Sequence, residues 1–338
     1  MAQTFDTKSL RLTGDAVPVA CRVGTAGNAG YGAFTASTRG TLVYGAGPQS
    51  RDMRLQWSDR RGTPEGSLGV AVPAERNFRL SFDGKRLAVA QDRAIYLQPV
   101  SGGPPSQIVG EGQPADSPVW SPDGKGIVFS KLGARFDLFP RHLDGSANEE
   151  PLDVAGLNVA PWDWSRDGKW IVFGQEAEKT GIDIWLLPLE GQRKPLIFLQ
   201  TLAAESQARF SPDGHWMAFV QYEQGRDEVF VQAISPQGPA AGVKYRVSSA
   251  GGSHPAWRRD GRELFFASAD KKMMAVPVIL GAVFQAAPAQ TLFSLPSESG
   301  NWDVSADGLR FLVEVPEHAG TRWTSLSVVL NWPVLLKK

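Results

Sequence analysis

Residues 120–130 read WSPDGKGIVFS, and the stretch recurs along the chain. Further copies are LSFDGKRLAVA (80–90), WSRDGKWIVFG (164–174), FSPDGHWMAFV (210–220), WRRDGRELFFA (257–267) and VSADGLRFLVE (304–314). Their glycines, Gly84, Gly124, Gly168, Gly214, Gly261 and Gly308, are spaced by 40, 44, 46, 47 and 47 residues. A degenerate seventh copy, FTASTRGTLVY (34–44), places Gly40 another 44 residues upstream, with Arg39 at the Asp position. Ser recurs two residues before that position, and only Arg258 breaks the series.

Each copy reads as one supersecondary unit. A short strand ends in Ser-x-Asp-Gly, where Asp bonds the turn backbone and Gly accepts the positive φ of a tight hairpin. The strand that follows is apolar on both faces, as in Ile127–Phe129, and so is packed on both sides. A third strand (Ala94–Gln98, Ile182–Leu187, Glu228–Gln232) and a weaker fourth close the unit. Four strands every 40–47 residues is the pattern of propeller blades. The expected fold is therefore all-β: one β-propeller of four-stranded blades, seven by the copy number, although six or eight also fit. The six turn aspartates read as turn formers rather than chemistry. Trp120, Trp164 and Trp257 precede the turn at one offset and read as packing between blades.

Composition agrees and excludes other classes. The 338 residues carry 35 Lys+Arg against 35 Asp+Glu, so no basic face marks a nucleic-acid binder. Apolar residues are 42%, enough for a core, and 36 Gly with 24 Pro supply many turns. One cysteine, Cys21, excludes an internal disulfide and any Cys-based zinc site, and is expected as a buried strand thiol. Residues 1–10 have no apolar core of a signal peptide, and the longest apolar run, 273–284, contains Pro277 and is too short to span a bilayer.

The W-S-P-D-G-K/R turn followed by an apolar strand resembles the TolB-type, WD-like propeller repeat over about residues 31–332. Stretches such as RLQWSDRRG, SAGGSHPAWRRDGRELFF and SVVLNWPVLLKK are similar to a narrower group. That group is the C-terminal extracytoplasmic propeller region of membrane-bound serine/threonine kinases of acidobacterial type. The resemblance implies an extracytoplasmic, periplasmic location and a sensor or recognition role for this chain or a detached relative. It does not imply kinase activity: no Gly-rich nucleotide loop, His-Arg-Asp loop or Asp-Phe-Gly occurs, and Arg141-His142-Leu143-Asp144 lies at a strand end.

Residues 1–5 echo the third-strand residues 274–278, so the first residues are expected to fall inside a blade. Met1 then reads either as an internal start or as part of a ring whose missing strands come from the other end. The expected closure sets Ala16–Val23 as the outer strand beside Ser325–Trp332. Residues 1–23 then supply a partial blade and closure, and 24–338 the propeller.

No constellation in the sequence marks an enzyme. Gly-x-Ser-x-Gly, His-Glu-x-x-His and EF-hand patterns are absent, so no catalytic, metal or cofactor residues are assigned. The loops entering each first strand are rich in Gly, Ser, Asn, Glu and Gln, the residues of an adaptable recognition face. Asn77, Ser117, Asp163, Gln207, His254, Asn301 and Asp303 are the candidate ligand face. The partner is expected to be a protein, peptide or glycan at the funnel mouth of a monomer, with no nucleic acid and no membrane segment in this chain. The alternatives are a central-pocket glycan hydrolase or lyase, which needs opposed carboxylates, and a TolB-like periplasmic assembly factor.

Overall fold

The computed structural model describes the chain except residues 1, 20–24, 27–30, 33, 38–39, 47–51, 74–76, 111–113, 134–135, 147–149, 155–156, 236–237, 240–242, 298, 317–324 and 338. Cys21 lies outside the described residues. The chain divides into two compact units, residues 53–316 and residues 1–52 with 317–338.

The larger unit is a β-propeller. Blade one comprises Phe78–Leu80, Arg86–Gln91, Ala94–Pro99 and Ser106–Val109. Blade two comprises Ala115–Trp120, Gly126–Leu132 and Phe136–His142; blade three Leu157–Trp164, Trp170–Ala177, Gly181–Pro188 and Leu196–Leu199. Blade four is built from Glu205–Phe210, Trp216–Glu223, Arg226–Ser235 and Tyr245–Arg246, and blade five from Gly252–Trp257, Glu263–Ser268, Lys272–Ile279 and Gln290–Ser294. In the sixth sheet Trp302–Val304 and Arg310–Pro316 join Asp52–Asp59 and Pro64–Pro73 from the other end of the chain.

These six sheets form a closed ring. The first strands of successive blades touch in chain order, and Trp302–Val304 touches Phe78–Leu80. An apolar cluster fills each junction. Between blades three and four, for example, Val172, Leu186 and Phe198 meet Ala208, Met217 and Phe219. At the closing junction Met53, Leu55, Trp57 and Leu312 meet Phe78, Leu87 and Val89.

The repeated turn holds by one set of bonds. Ser121 Oγ donates to Asp123 Oδ1 at 2.6 Å, and Asp123 Oδ1 accepts from Lys125 N at 3.0 Å. Gly126 N then donates to Ser121 Oγ at 2.9 Å. Blades one, three, four and six repeat the arrangement at Ser81, Ser165, Ser211 and Ser305. The turn glycines have φ between 68° and 77°, the left-handed region that a side chain resists. In blade five Arg258 replaces the Ser, and its guanidinium reaches Asp260 Oδ1 at 3.3 Å. The turn aspartates are structural, as expected.

Strands from both ends close the ring, but not the expected ones. Arg310–Pro316 pairs with Asp52–Asp59 from Arg310↔Asp59 to Pro316↔Met53 without a bulge. In the smaller unit, Ser325–Val329 pairs with Leu42–Ala46 of the degenerate copy. Ala16 and Val17 end a strand, Arg11–Val17, that pairs with Ala2–Asp6; residues 20–23 lie outside the described residues. The reason is an exchange of third strands. The run 52–59 buries Met53, Leu55 and Trp57 in the ring, which leaves Leu42–Ala46 needing another neighbour, and 325–329 fills that place. The degenerate copy keeps its turn, with Gly40 N donating to Ser37 O at 3.2 Å. Its two strands form a separate three-stranded sheet with Ser325–Val329 rather than a seventh four-stranded blade.

Candidate functional site

A cavity of about 350 Å³ lies on the axis of the larger unit, between the first strands and the Ser-x-Asp-Gly turns. Its lining follows a count from the turn glycines. Five residues before them stand Arg79, Val119, Asp163, Arg209, Ala256 and Asp303, and all six face the cavity. Around the ring the order is Arg, apolar, Asp, and then Arg, apolar, Asp again. The two arginines are three blades apart, and so are the two aspartates.

Both carboxylates have the same bonds. Asp163 Oδ2 accepts from Phe210 N of the next blade at 2.9 Å, and Oδ1 accepts from Trp164 N at 3.0 Å. Asp303 Oδ2 accepts from Leu80 N of blade one at 2.8 Å, and Oδ1 from Val304 N at 2.8 Å. Burial pushes Asp163 up to about 6, against the lowering effect of those N–H groups and of Arg79. Burial also raises Asp303, and Arg79 opposes it most.

The two ring arginines differ. Arg209 donates Nη1 to Trp162 O. Arg79 has no side-chain hydrogen bond among the described residues, while burial pulls its pKa down and the charges of Asp303 and Asp163 push it back up.

Two residues before the turn glycines, blades two and four carry Pro122 and Pro212, whereas blades three and five carry Arg166 and Arg259. Both guanidinium groups reach Phe82 of blade one. That of Arg166 lies over the ring, 4.5 Å from its centroid, and Arg259 Nη1 donates to Phe82 O at 2.8 Å. Trp57, Trp120, Trp164 and Trp257 complete the wall. Trp120 and Trp257 also tie blades together as expected, donating Nε1 to Arg79 O at 2.9 Å and Arg209 O at 3.2 Å.

Of the residues singled out by sequence, Asp163 and Asp303 line the cavity. Asn77, Ser117, Gln207, His254 and Asn301 lie two positions earlier, outside its lining, and four of them join blades. Asn77 Nδ2 donates to Ser117 Oγ at 3.3 Å, and His254 N donates to Gln207 Oε1 at 2.6 Å. Ser117, Gln207 and His254 have φ of 54°, 57° and 55° at bulges of their first strands. Asn301 Oδ1 accepts from Trp302 N at 2.9 Å. Burial, with Arg79 and Lys271 nearby, pushes His254 down to about 4. Arg79, Arg166, Arg209 and Arg259 were not singled out by sequence. Their signal is present only when positions are compared across the repeats.

Among the described residues no group of three or more His, Cys, Asp and Glu side chains is placed to hold a metal ion. No helix among them is long and apolar enough to cross a membrane.

No family model matches the chain. An uncharacterized protein of Agrobacterium fabrum is 27% identical over 213 residues, 59% of this chain and 71% of that protein. The uncharacterized peptidase YuxL of Bacillus subtilis is 29% identical over 147 residues, which span 42% of this chain and only 21% of the peptidase. Among solved structures, a TolB of Agrobacterium tumefaciens superposes with a TM-score of 0.62 at 19% identity, over 78% of this chain and 97% of that one. TolB of Acinetobacter baumannii gives a TM-score of 0.52 at 15% identity, over 80% of this chain and 64% of that one. By its repeats, its closed ring and these neighbours, the chain folds as a TolB-like β-propeller.

Proposed function

We propose that this chain is a non-catalytic binding propeller whose ligand site is the axial cavity. The observation that carries the reading is Arg79, a guanidinium facing that cavity without a hydrogen-bond partner among the described residues. A buried cation with free donors is stabilised when a ligand takes them. A cavity of about 350 Å³ is at the small end of the range for ligand pockets, ~300–1,000 Å³, and so suits a small molecule or the end of a chain. Protein, peptide or glycan partners fit this reading. So does the role that the repeat resemblance implies, the extracytoplasmic sensor region of a receptor-like serine/threonine kinase or of a relative. Assembly with a partner in the manner of a periplasmic TolB-like factor is the neighbouring possibility.

The test blocks the cavity. Ala306 lines it and is exposed, so Ala306→Trp fills its mouth without touching the core. Peptide and glycan arrays are probed with the parent protein and with this variant. Ligands held by the parent and lost on A306W support the reading; equal profiles sink it.

One observation favours a central-pocket enzyme instead. Asp163 and Asp303 face one cavity and both are raised by burial, as in carboxylate pairs that act as acid and base. Against it, both oxygens of each carboxylate already accept backbone N–H groups. Release of reducing ends from a polysaccharide panel, lost in D163N, would establish the enzymatic reading.

A further inference from the structure

The cavity has a chemical bias that narrows its ligand. Every basic residue in its lining is arginine, and none is lysine. Arginine offers a planar fork that matches a carboxylate or phosphate, and it stacks on aromatic rings. At the turn end two such forks meet. Arg166 and Arg259 stand where the sister blades carry Pro122 and Pro212, so neither is required by the turn. Both converge on Phe82, one on its ring and one on its carbonyl. They repel each other: the charge of Arg259 adds to burial in pulling Arg166 down. Arg166 makes no hydrogen bond among the described residues, and its ring contact leaves its N–H edge free. Two like charges held together over a cavity mouth are relieved by an anion between them. The carboxyl groups of Asp163 and Asp303 also line the cavity, and where ionised they oppose a dianion more than a monoanion. The tryptophan wall suits an apolar body.

We propose that the cavity takes a carboxylate-bearing ligand. Its carboxylate sits between Arg166 and Arg259, and its apolar or aromatic body lies against the tryptophans. This rests on the reading of the cavity as a binding site and adds the ligand class. The carboxylate is that of a free small acid or of a peptide C-terminus.

The test uses the full chain and the quenching of its tryptophan fluorescence. The probes are 3-phenylpropionate, the peptide Ala-Ala-Phe with a free C-terminus, the same peptide amidated, and inorganic phosphate. Saturable binding of at least one acid is expected, with the amide roughly tenfold weaker or more. A rise in salt weakens it. The double variant R166Q/R259Q removes both guanidinium groups and keeps the backbone N–H of residue 259, which donates to Ala306 O at 3.3 Å. It should bind the acid roughly tenfold or more weakly while its thermal melt stays cooperative. R166P/R259P, which sets there the residue that blades two and four carry, should give the same loss. A tighter peptide identifies a chain end as the source, a tighter phenylpropionate a free acid, and both outcomes support the proposal. Failure of both acids, an amide equal to the acid, phosphate competing as well as either, or variants binding like the parent overturns it. A neutral ligand lost on A306W with no acid bound would sink this inference and leave the binding site standing.

Discussion

The carboxylate of Asp303 accepts the backbone N–H of Leu80 at 2.8 Å, across 223 positions of sequence and across the junction where the ring closes. Three blades away Asp163 does the same for Phe210. One side chain thus straps two blades together, and it appears twice at equivalent places.

Removing the strap leaves two N–H groups facing the cavity and Arg79 with one fewer countercharge. D303A is expected to lower stability by about 1–3 kcal/mol, and D303N by less, because its amide oxygen still accepts one N–H. Urea midpoints measure both. A D303A midpoint equal to that of the parent would show that the strap does not bear on closure.

The pH dependence of stability separates Asp163 from His254, because their shifts have opposite signs. Asp163 is raised from 3.8 to about 6. The folded state therefore holds its proton more tightly than the unfolded state, and stability from this group falls as pH rises from about 4 to 6. His254 is lowered from 6.5 to about 4, so its contribution is present above pH 6.5 and is lost as pH falls towards 4. The two slopes offset each other in the parent. H254Q should leave the falling slope and D163N the rising one, each of roughly 1–2 kcal/mol once water in the cavity is allowed for. Identical pH profiles in the two variants would refute both assignments.

The turn glycines offer a controlled comparison of strain and space. Gly214 (φ 75°) has open space where a Cβ would stand, whereas at Gly308 (φ 69°) that atom would lie 2.9 Å from Arg258 Cδ and 3.2 Å from Phe265 Cζ. G214A should cost about 1–2 kcal/mol for the left-handed backbone alone. G214N should cost less, since Asn tolerates that region, and G214V more. G308A should exceed G214A, because a packed ring must also move. Thermal melts that rank G308A equal to G214A would remove the packing component.

The repeat was readable because a Ser-x-Asp-Gly turn leaves the same residues at the same offsets in every blade, whatever packs around it. That sufficed for the propeller, for the structural role of the six aspartates, and for Trp120 and Trp257 as ties between blades. The cavity was only half readable. Asp163 and Asp303 stand out as isolated acids near strand starts, but Arg79 and Arg209 read as ordinary strand residues until aligned five positions before their glycines. Asn77 and His254 stand out because they are polar and sit at loop ends; in the structure Asn77 bonds Ser117 of the next blade, and His254, at a bulge, bonds Gln207 of its neighbour through its backbone N–H. The exchange of third strands leaves no sequence mark. Residues 52–59 and 325–329 both alternate in the way a third strand requires, and only burial of Met53, Leu55 and Trp57 at the closing junction decides between them.

That exchange yields the sharpest test of the fold. If 52–59 closes the ring against 310–316, residues 52–316 contain every strand of the six-sheet ring. A fragment of residues 52–316 should fold alone, unfold in one cooperative transition and remain monomeric. A fragment of residues 74–316 lacks the two borrowed strands. It should expose the edge of Arg310–Pro316, whose Phe311, Leu312 and Val313 are buried in the whole chain. An apolar edge of that kind pairs with other chains, so this fragment should aggregate or melt well below the longer one. Size-exclusion chromatography and thermal melts read both outcomes. The closing strand would have been misidentified if the shorter fragment proved as monomeric and as stable as the longer.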